Sequence, residues 1–256
     1  MLTFFYIEYE SGFHKRGKAN LRLAIFYFDF LHYHAARCAA VIELVRNRGG
    51  QVFVYSARSQ SPELPVEGYH KLLRGHLRVL LPCHQISLNS SAAVRSLLNA
   101  LNRDSPDIVA IPGYSTRLCR AALAWCKLKD RVAILMSASR REDRTRHWWI
   151  ELPKGLLTRQ FDAALVGGEA QARYAMELGI PRERIFVGYN VVDNEYWRKR
   201  ADLARNAAVD LRKKYRLPQR YFLASGRFIP KKNFDTLLKA YALYRREVGR
   251  IAWYLV

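Results

Sequence analysis

Apolar runs of strand length alternate with amphipathic segments of helix length along most of this chain. The first apolar run, residues 21–30, leads through a turn at 31–34 into a helical pattern that ends at Gly49-Gly50. Residues 51–57 form the next apolar run. A strand, a helix and a strand in this order predict a parallel sheet, because parallel strands need a long crossover connection.

The same alternation continues toward the C-terminus. Further strands are predicted at 76–81, 107–111, 131–136 and 162–166, with helices at 92–102, 118–125 and 169–178. Residues 21–190 therefore predict a Rossmann-like α/β domain. Residues 1–20 show no period and are predicted to be a lead-in. The bulky pair Trp148-Trp149 is predicted to lie in the core, with a lipid-facing aromatic pair as the alternative.

A second strand–turn–helix unit follows a charged segment at 198–216, which predicts a connecting helix. Its strand is predicted at 221–224, its helix at 234–246 and a further strand at 251–256. We thus predict an N-terminal domain of residues 1–197 and the start of a second Rossmann-like domain at 198–256. Two parallel strands with one helix cannot cover both faces of a sheet, so we expect the second domain to be truncated.

Composition and charge restrict the class of protein. The chain has 256 residues, half of them hydrophobic, which is typical of a folded protein and argues against disorder. A net charge of +21 favours anionic partners such as phosphate groups or acidic lipids. The charge is spread along the chain, and no nucleic-acid recognition motif accompanies it, so a nucleic-acid binder is the weaker hypothesis.

Cysteine usage and hydropathy bear on the compartment. The four cysteines at 38, 83, 119 and 126 form no Cys-x-x-Cys pair, which predicts reduced, structural thiols in the cytoplasm. No apolar run approaches the ~20 residues that span a bilayer, so any contact with an anionic membrane is predicted to be peripheral. The sequence contains no carboxylate or histidine cluster of the kind that binds a metal, so neither a metal site nor a cofactor is predicted.

The richest candidate chemistry lies at the turn of the second strand–turn–helix unit. Gly226 lacks a Cβ and lets a ligand approach the backbone, Arg227 and Lys232 supply positive charge, and the helix that follows offers free N–H groups. This corner suits a phosphate or diphosphate. A solvated basic turn is the alternative interpretation.

The stretch GRFIPKKNFDTLLKAYALYRRE resembles the first βα unit of the C-terminal domain of retaining glycosyltransferases of family 4, which have the GT-B fold. A second match runs from Phe161 to Trp197 and includes GYNVVD at 188–193. The resemblance implies transfer of a sugar from a nucleotide-diphosphate donor, with retention, to an unknown glycan, lipid or small-molecule acceptor. It also implies that Gly226, Arg227 and Lys232 bind the donor diphosphate. The family's Glu-x7-Glu motif has no counterpart here, so an inactive remnant or a non-catalytic anion-binding module is the alternative.

Polar residues after the strands of the first domain are the acceptor-side candidates, because open α/β sheets bind ligands at the carboxyl ends of their strands. Ordinary loop and turn roles are the alternative for each. Many members of the family carry a His where this chain has Ser137 and Ser139, so a His contact to the donor sugar is not expected. The candidates are His32, His34, Arg37, Gly113, Tyr114, Ser137, Ser139, Asp143, Asn190 and Asp193.

Overall fold

The structure is a computed structural model that describes residues 20–30, 32–58, 73, 75–81, 87–143, 145, 147–249 and 253–256, except for the side chain of His32. The predictions for residues 1–19 and for Cys83 lie outside this description. The chain divides into two compact units, Met1–Asp193 and Asn194–Val256.

The first unit is built on a seven-stranded sheet in which every neighbouring pair is parallel. Its strands are β1 (Arg22–Asp29), β2 (Gln51–Arg58), β3 (Leu77–Leu81), β4 (Ile108–Ile111), β5 (Val132–Ser137), β6 (Ala163–Val166) and β7 (Ile185–Val187). They lie in the order β3-β2-β1-β4-β5-β6-β7. The predicted α/β, Rossmann-like fold class is therefore confirmed.

Helices cover both faces of this sheet. They are α1 (His32–Arg46), α2 (Ser91–Asp104), α3 (Arg117–Leu128), α4 (Trp148–Thr158) and α5 (Glu169–Glu177), with short 3-10 turns at Arg141–Asp143 and Arg182–Arg184. One apolar core joins the sheet to α2, α3 and α5, and the other joins the opposite face to α1. Strands β4 and β6 are buried along their whole length, which is why they read as continuous apolar runs.

Carboxylates tie the amino ends of the strands together. Asp107, before β4, accepts hydrogen bonds from the Arg22 backbone N–H at 3.1 Å and from Arg131 at 2.6 Å. Asp162, before β6, accepts from the Ala133 backbone N–H at 2.8 Å. These bonds connect strands that are distant in sequence and so fix their register.

Asp104, at the end of α2, is the most enclosed of these carboxylates, at 4% exposure. It accepts a 2.6 Å hydrogen bond from the Tyr55 hydroxyl and pairs with the guanidinium groups of Arg78 and Arg103. Burial opposes ionisation, but the hydrogen bonds from Arg103, Tyr55 and Arg78 outweigh it and hold the pKa of Asp104 below its usual value.

The second unit contains less sheet. It comprises α6 (Asn194–Asn206), α7 (Ala208–Lys214), β8 (Tyr221–Phe222), a 3-10 turn at Pro230–Lys232, α8 (Phe234–Val248) and β9 (Tyr254–Leu255). Strands β8 and β9 form a parallel pair. No residue that the structure describes in this unit is buried.

Two local predictions are wrong. Helix α1 begins at His32, so residues 32–34 of the segment predicted as a turn are already helical. Its polar histidines suggested a loop, yet His34 is buried among aromatic rings. Trp148 and Trp149 are 74% and 56% exposed, because the inward face of α4 carries polar residues instead.

Candidate functional site

The carboxyl ends of all seven parallel strands lie along one edge of the first unit's sheet. The strand order reverses between β1 and β4, because β1 connects through α1 to β2 on one side while β4 continues to β5 on the other. Loops diverge at such a switch point and leave room for a ligand. The predicted acceptor-side residues of the first unit lie at the ends of four of these strands, β1, β4, β5 and β7, or in the segments that follow them.

Gly113 makes a tight turn directly after β4. Its φ of +96° lies in the region that glycine adopts most readily, and its N–H donates to the Ile111 carbonyl at 2.9 Å. The turn directs the chain to Tyr114, which packs against the core beneath α2, α3 and α5. Tyr114, Ser137 and Ser139 line one small depression, together with Thr158, Gln171, Tyr174 and neighbouring apolar residues. The structure thus brings together three of the predicted residues.

The segment after β5 is held by its own polar groups. The Ser137 hydroxyl accepts from the Ser139 backbone N–H at 3.2 Å. The Asp143 carboxylate accepts from the Arg140 backbone N–H at 2.8 Å and also forms an exposed ion pair with the Arg140 guanidinium. Asp143 therefore shapes this loop, and its role toward a ligand stays a prediction.

Asn190 packs at the carboxyl end of β6. Its Nδ2 atom lies 3.2 Å from the position that a Cβ on Gly167 would occupy, and the Gln171 amide lies 3.5 Å from it. Glycine at this position lets both amides approach the strand end. Gln171 was not predicted from the sequence. Asp193, exposed, is the last residue of the first unit.

His34 and Arg37 belong to an aromatic cluster after β1. His34 stacks on Tyr27 with ring centroids 4.0 Å apart. The Arg37 guanidinium lies over the rings of Tyr33 and Tyr189, at 5.1 Å and 5.4 Å from their centroids. Burial raises the pKa of both Tyr27 and Tyr189, so both hydroxyls remain protonated and neutral at physiological pH.

Arg37 is only 6% exposed and also holds the segment after β7. Its Nε donates to the Val191 carbonyl at 2.8 Å, while its Nη1 is buried without a hydrogen-bond partner in the described part of the chain. Arg37 therefore positions the backbone next to Asn190. Its acceptor-side role, and that of His34, stays a prediction.

The predicted diphosphate corner lies in the second unit, between β8 and α8. Lys232 ends the 3-10 turn, and its Cδ lies 3.7 Å from the position that a Cβ on Gly226 would occupy. The Arg227 carbonyl accepts from the Ile229 N–H at 2.8 Å, and Ile229 in turn accepts from Lys232 at 2.9 Å. The backbone thus folds Lys232 back onto Gly226.

Asn233 connects this turn to α8 in a left-handed conformation, with a φ of 53°. Its side chain accepts from the Thr236 hydroxyl at 2.9 Å and does not cap the helix. The first N–H groups of α8 are therefore open toward an anion. Within the described residues, the exposed side chains of Arg227 and Lys232 have no carboxylate partner.

The described ranges contain no group of three or more His, Cys, Asp or Glu side chains that could hold a metal ion. They also contain no helix with both the length and the apolar character needed to cross a bilayer.

Comparison with solved structures places this architecture among known folds. A glycosyltransferase from Rickettsia africae ESF-5 has a TM-score of 0.59 at 11% identity, over 92% of this chain and 59% of that one. Anabaena Alr3699/HepE, solved with UDP and glucose, has a TM-score of 0.57 at 14% identity, over 87% and 58%. A UDP-N-acetylglucosamine 2-epimerase from Rickettsia bellii has a TM-score of 0.50 at 19% identity, over 89% and 59%. The chain thus spans less than two thirds of each structure's length.

These likenesses establish a GT-B-like fold. A comparison with curated protein sequences gives no match. The sequence pattern of Glycosyltransferase Family 4, by contrast, matches residues 35–196, which is more than half of the chain. The match includes all but the last residue of the upstream segment that resembled this family in the sequence, and the chain therefore belongs to Glycosyltransferase Family 4.

Proposed function

We propose that this chain binds the diphosphate of a nucleotide-sugar donor at Gly226, Arg227 and Lys232, and that it takes part in retaining transfer of the sugar to an acceptor. The observation that carries this proposal is the contact between Lys232 and Gly226. The two positions are six residues apart, yet the 3-10 turn brings the Lys232 side chain to 3.7 Å from the Cβ position of Gly226.

The chemistry of the corner fits a diphosphate leaving group. As the bond from the sugar to the diphosphate breaks, negative charge accumulates on the phosphate oxygens. Arg227 can donate two parallel N–H bonds to such oxygens, Lys232 adds a point charge, and the open N–H groups of α8 add the positive end of the helix dipole. Stabilisation of this developing charge lowers the barrier to transfer.

The acceptor is proposed to bind at the carboxyl edge of the first unit's sheet. Tyr114, Ser137 and Ser139 present three hydroxyl groups in one depression, and hydroxyls hydrogen-bond sugar or other polyol groups as donors and acceptors. A nucleotide-sugar donor is also consistent with the presence of UDP and glucose in the structure of HepE, which shares this fold. Transfer assays with a glycan, a lipid and a small-molecule acceptor would distinguish these three classes.

Nucleotide binding tests the donor corner directly. The protein is titrated with UDP, GDP and ADP by calorimetry, and we expect one of them to bind. Arg227→Ala and Lys232→Ala should each raise Kd about tenfold or more, because each removes a charged partner of the diphosphate. In a transfer assay with the corresponding nucleotide-sugar, the same changes should lower turnover about 30- to 1,000-fold.

Lys231→Ala is the matched control, because Lys231 is the neighbouring exposed lysine of the same 3-10 turn. The Kd of this variant for the nucleotide should change by less than about threefold. Equal damage from Lys231→Ala and Lys232→Ala would show that the motif has been assigned in the wrong register. Absence of diphosphate binding would refute the donor site, and binding without transfer to any acceptor class would favour the non-catalytic anion-binding alternative.

A further inference from the structure

Helix α4 is inverted relative to an ordinary surface helix: its polar residues point inward. Glu151 forms a 2.6 Å ion pair with Lys154 and accepts a 2.7 Å hydrogen bond from the buried Tyr174 hydroxyl. Thr158 is fully buried and donates to the Leu178 carbonyl at 2.7 Å. The polar groups on the inner face are thus satisfied within the protein, and Leu157 adds apolar packing against the core.

The outer face of α4 is a continuous apolar stripe. Trp148, Trp149, Leu152 and Leu156 lie within an arc of about 100°, since successive helical residues are about 100° apart. Leu152 and Leu156 are 61% and 58% exposed, comparable to the two tryptophans. The Trp148 and Trp149 rings meet edge to face at 5.8 Å, and His147 stacks on Trp149 at 4.7 Å. A surface helix normally shows the opposite pattern, so this face is suited to an apolar environment outside the protein.

Described arginines lie on both sides of α4 in the sequence. Arg140 and Arg141 precede the helix with exposed side chains that pair with Asp143 and Glu177, and the exposed Arg159 follows it directly. Basic residues beside exposed tryptophans and leucines are the composition of helices that lie in the plane of an anionic bilayer surface, where the indole rings occupy the interface and the arginines meet the headgroups.

We propose that the outer face of α4 docks the protein on an anionic lipid bilayer. The helix has 11 residues and lies on the membrane without spanning it. Trp148 and Trp149 enter the headgroup region together with Leu152 and Leu156. The net charge of +21 draws the chain to acidic headgroups. The proposal is independent of the donor corner, which lies in the other unit.

Sedimentation with lipid vesicles tests this docking. The protein should sediment with vesicles of phosphatidylglycerol and phosphatidylcholine in equal parts, far less with phosphatidylcholine alone, and less at high salt. The double variant W148S/W149S should lower the partition coefficient on anionic vesicles at least about tenfold, because it removes the two largest apolar groups of the stripe. Trp197→Ser is the matched control, since Trp197 is an exposed tryptophan of the second unit, and it should leave partitioning unchanged.

A second measurement begins with the unaltered protein, in which no substitution can affect folding. Brominated lipids in the anionic vesicles should quench part of the tryptophan emission, and W148S/W149S should abolish that quenching. Equal binding to neutral vesicles, equal binding by the double variant, or quenching that survives the double variant would each overturn the proposal. So would a dimer in sedimentation equilibrium that W148S/W149S dissociates, combined with no vesicle binding, because a second copy would then cover the stripe.

Discussion

The buried carboxylate of Asp104 offers a direct test of what holds the first unit together. In Asp104→Asn the amide oxygen can take the place of Oδ2, which accepts from both Tyr55 and Arg78. The new NH2 group then takes the place of Oδ1 and faces the guanidinium of Arg103, which is itself a donor. The substitution therefore removes a charge-assisted bond without changing the size of the side chain. It isolates the charge from the packing.

The expected loss follows from the burial of each partner. A hydrogen bond to a charged group contributes about 1.5–3 kcal/mol and one to a neutral group about 1 kcal/mol. The Arg78 bond should therefore weaken by roughly 0.5–1 kcal/mol, because the Arg78 side chain is about one third exposed. The Tyr55 hydroxyl bond weakens by roughly a further 0.5–1 kcal/mol as its acceptor becomes neutral. The free energy of unfolding of the first unit should thus fall by about 1–2 kcal/mol at pH 7.

The dependence on pH has a definite sign. The folded state holds the pKa of Asp104 below its unfolded value of about 3.9, so the ionised carboxylate stabilises the fold above that pH. The contribution is lost as the pH falls through the folded pKa. The difference between Asp104→Asn and the unaltered protein should therefore shrink steadily below about pH 4.

Hydrogen exchange read by mass spectrometry on peptides of α2 and β2 measures this unfolding free energy locally, over a urea series at each pH. Glu177→Gln is the control: it neutralises an exposed ion pair with Arg141 in the same unit and should leave the unfolding free energy nearly unchanged. A loss for Asp104→Asn no greater than the control, or one that stays constant at acid pH, would refute the role assigned to the carboxylate.

Two further predictions concern stability and reactivity. Limited proteolysis should cut first beyond Asp193, because none of the described residues of the second unit is buried; early cuts within the described strands of the first unit would contradict this. Burial raises the pKa of Cys38 and Cys126 to about 12 and of Cys119 to about 11, so at pH 8 these thiols should stay unalkylated until urea unfolds the chain. Peptide mapping after iodoacetamide treatment measures this, and modification of any of the three in native buffer at the rate of a free thiol would show that it is accessible.

The positions of the sheet strands were predictable because parallel strands that are buried on both faces consist of continuous apolar runs. The strands at 51–57 and 131–136 were located to within one residue of β2 and β5. The start of α1 was missed, because His34 reads as a loop residue. Only tertiary structure brings Tyr27 against it and makes it a packing residue.

The contact between Lys232 and Gly226 was predictable because it depends on local sequence, while its role toward a diphosphate stays a prediction. Gly226, Arg227 and Lys232 lie within one strand–turn–helix unit, so their spacing alone indicated a corner. Residues brought together by long connections gave no such signal: Gln171 meets Asn190 only because both pack at Gly167. The inversion of α4 could not be predicted either, because a pair of tryptophans is typical of a core. The contact that allows Glu151 to face inward, its hydrogen bond from Tyr174, exists only in the tertiary structure.

The central position of β1 has a consequence for synthesis of the chain. Strand β1 can pair with β2 soon after both leave the ribosome, but its other edge can pair only after β4 has been synthesised. The Arg22–Asp107 hydrogen bond, which stabilises the β1–β4 pair, joins residues 85 positions apart. At about 5–20 residues per second, the roughly 50 residues from β2 to β4 take about 3–10 seconds to translate. During that interval the nascent sheet has an unpaired, strongly apolar strand at its edge, which is the kind of template that recruits other chains. Expression yield should therefore depend on translation rate between these two strands and on chaperones that cover the open edge of β1.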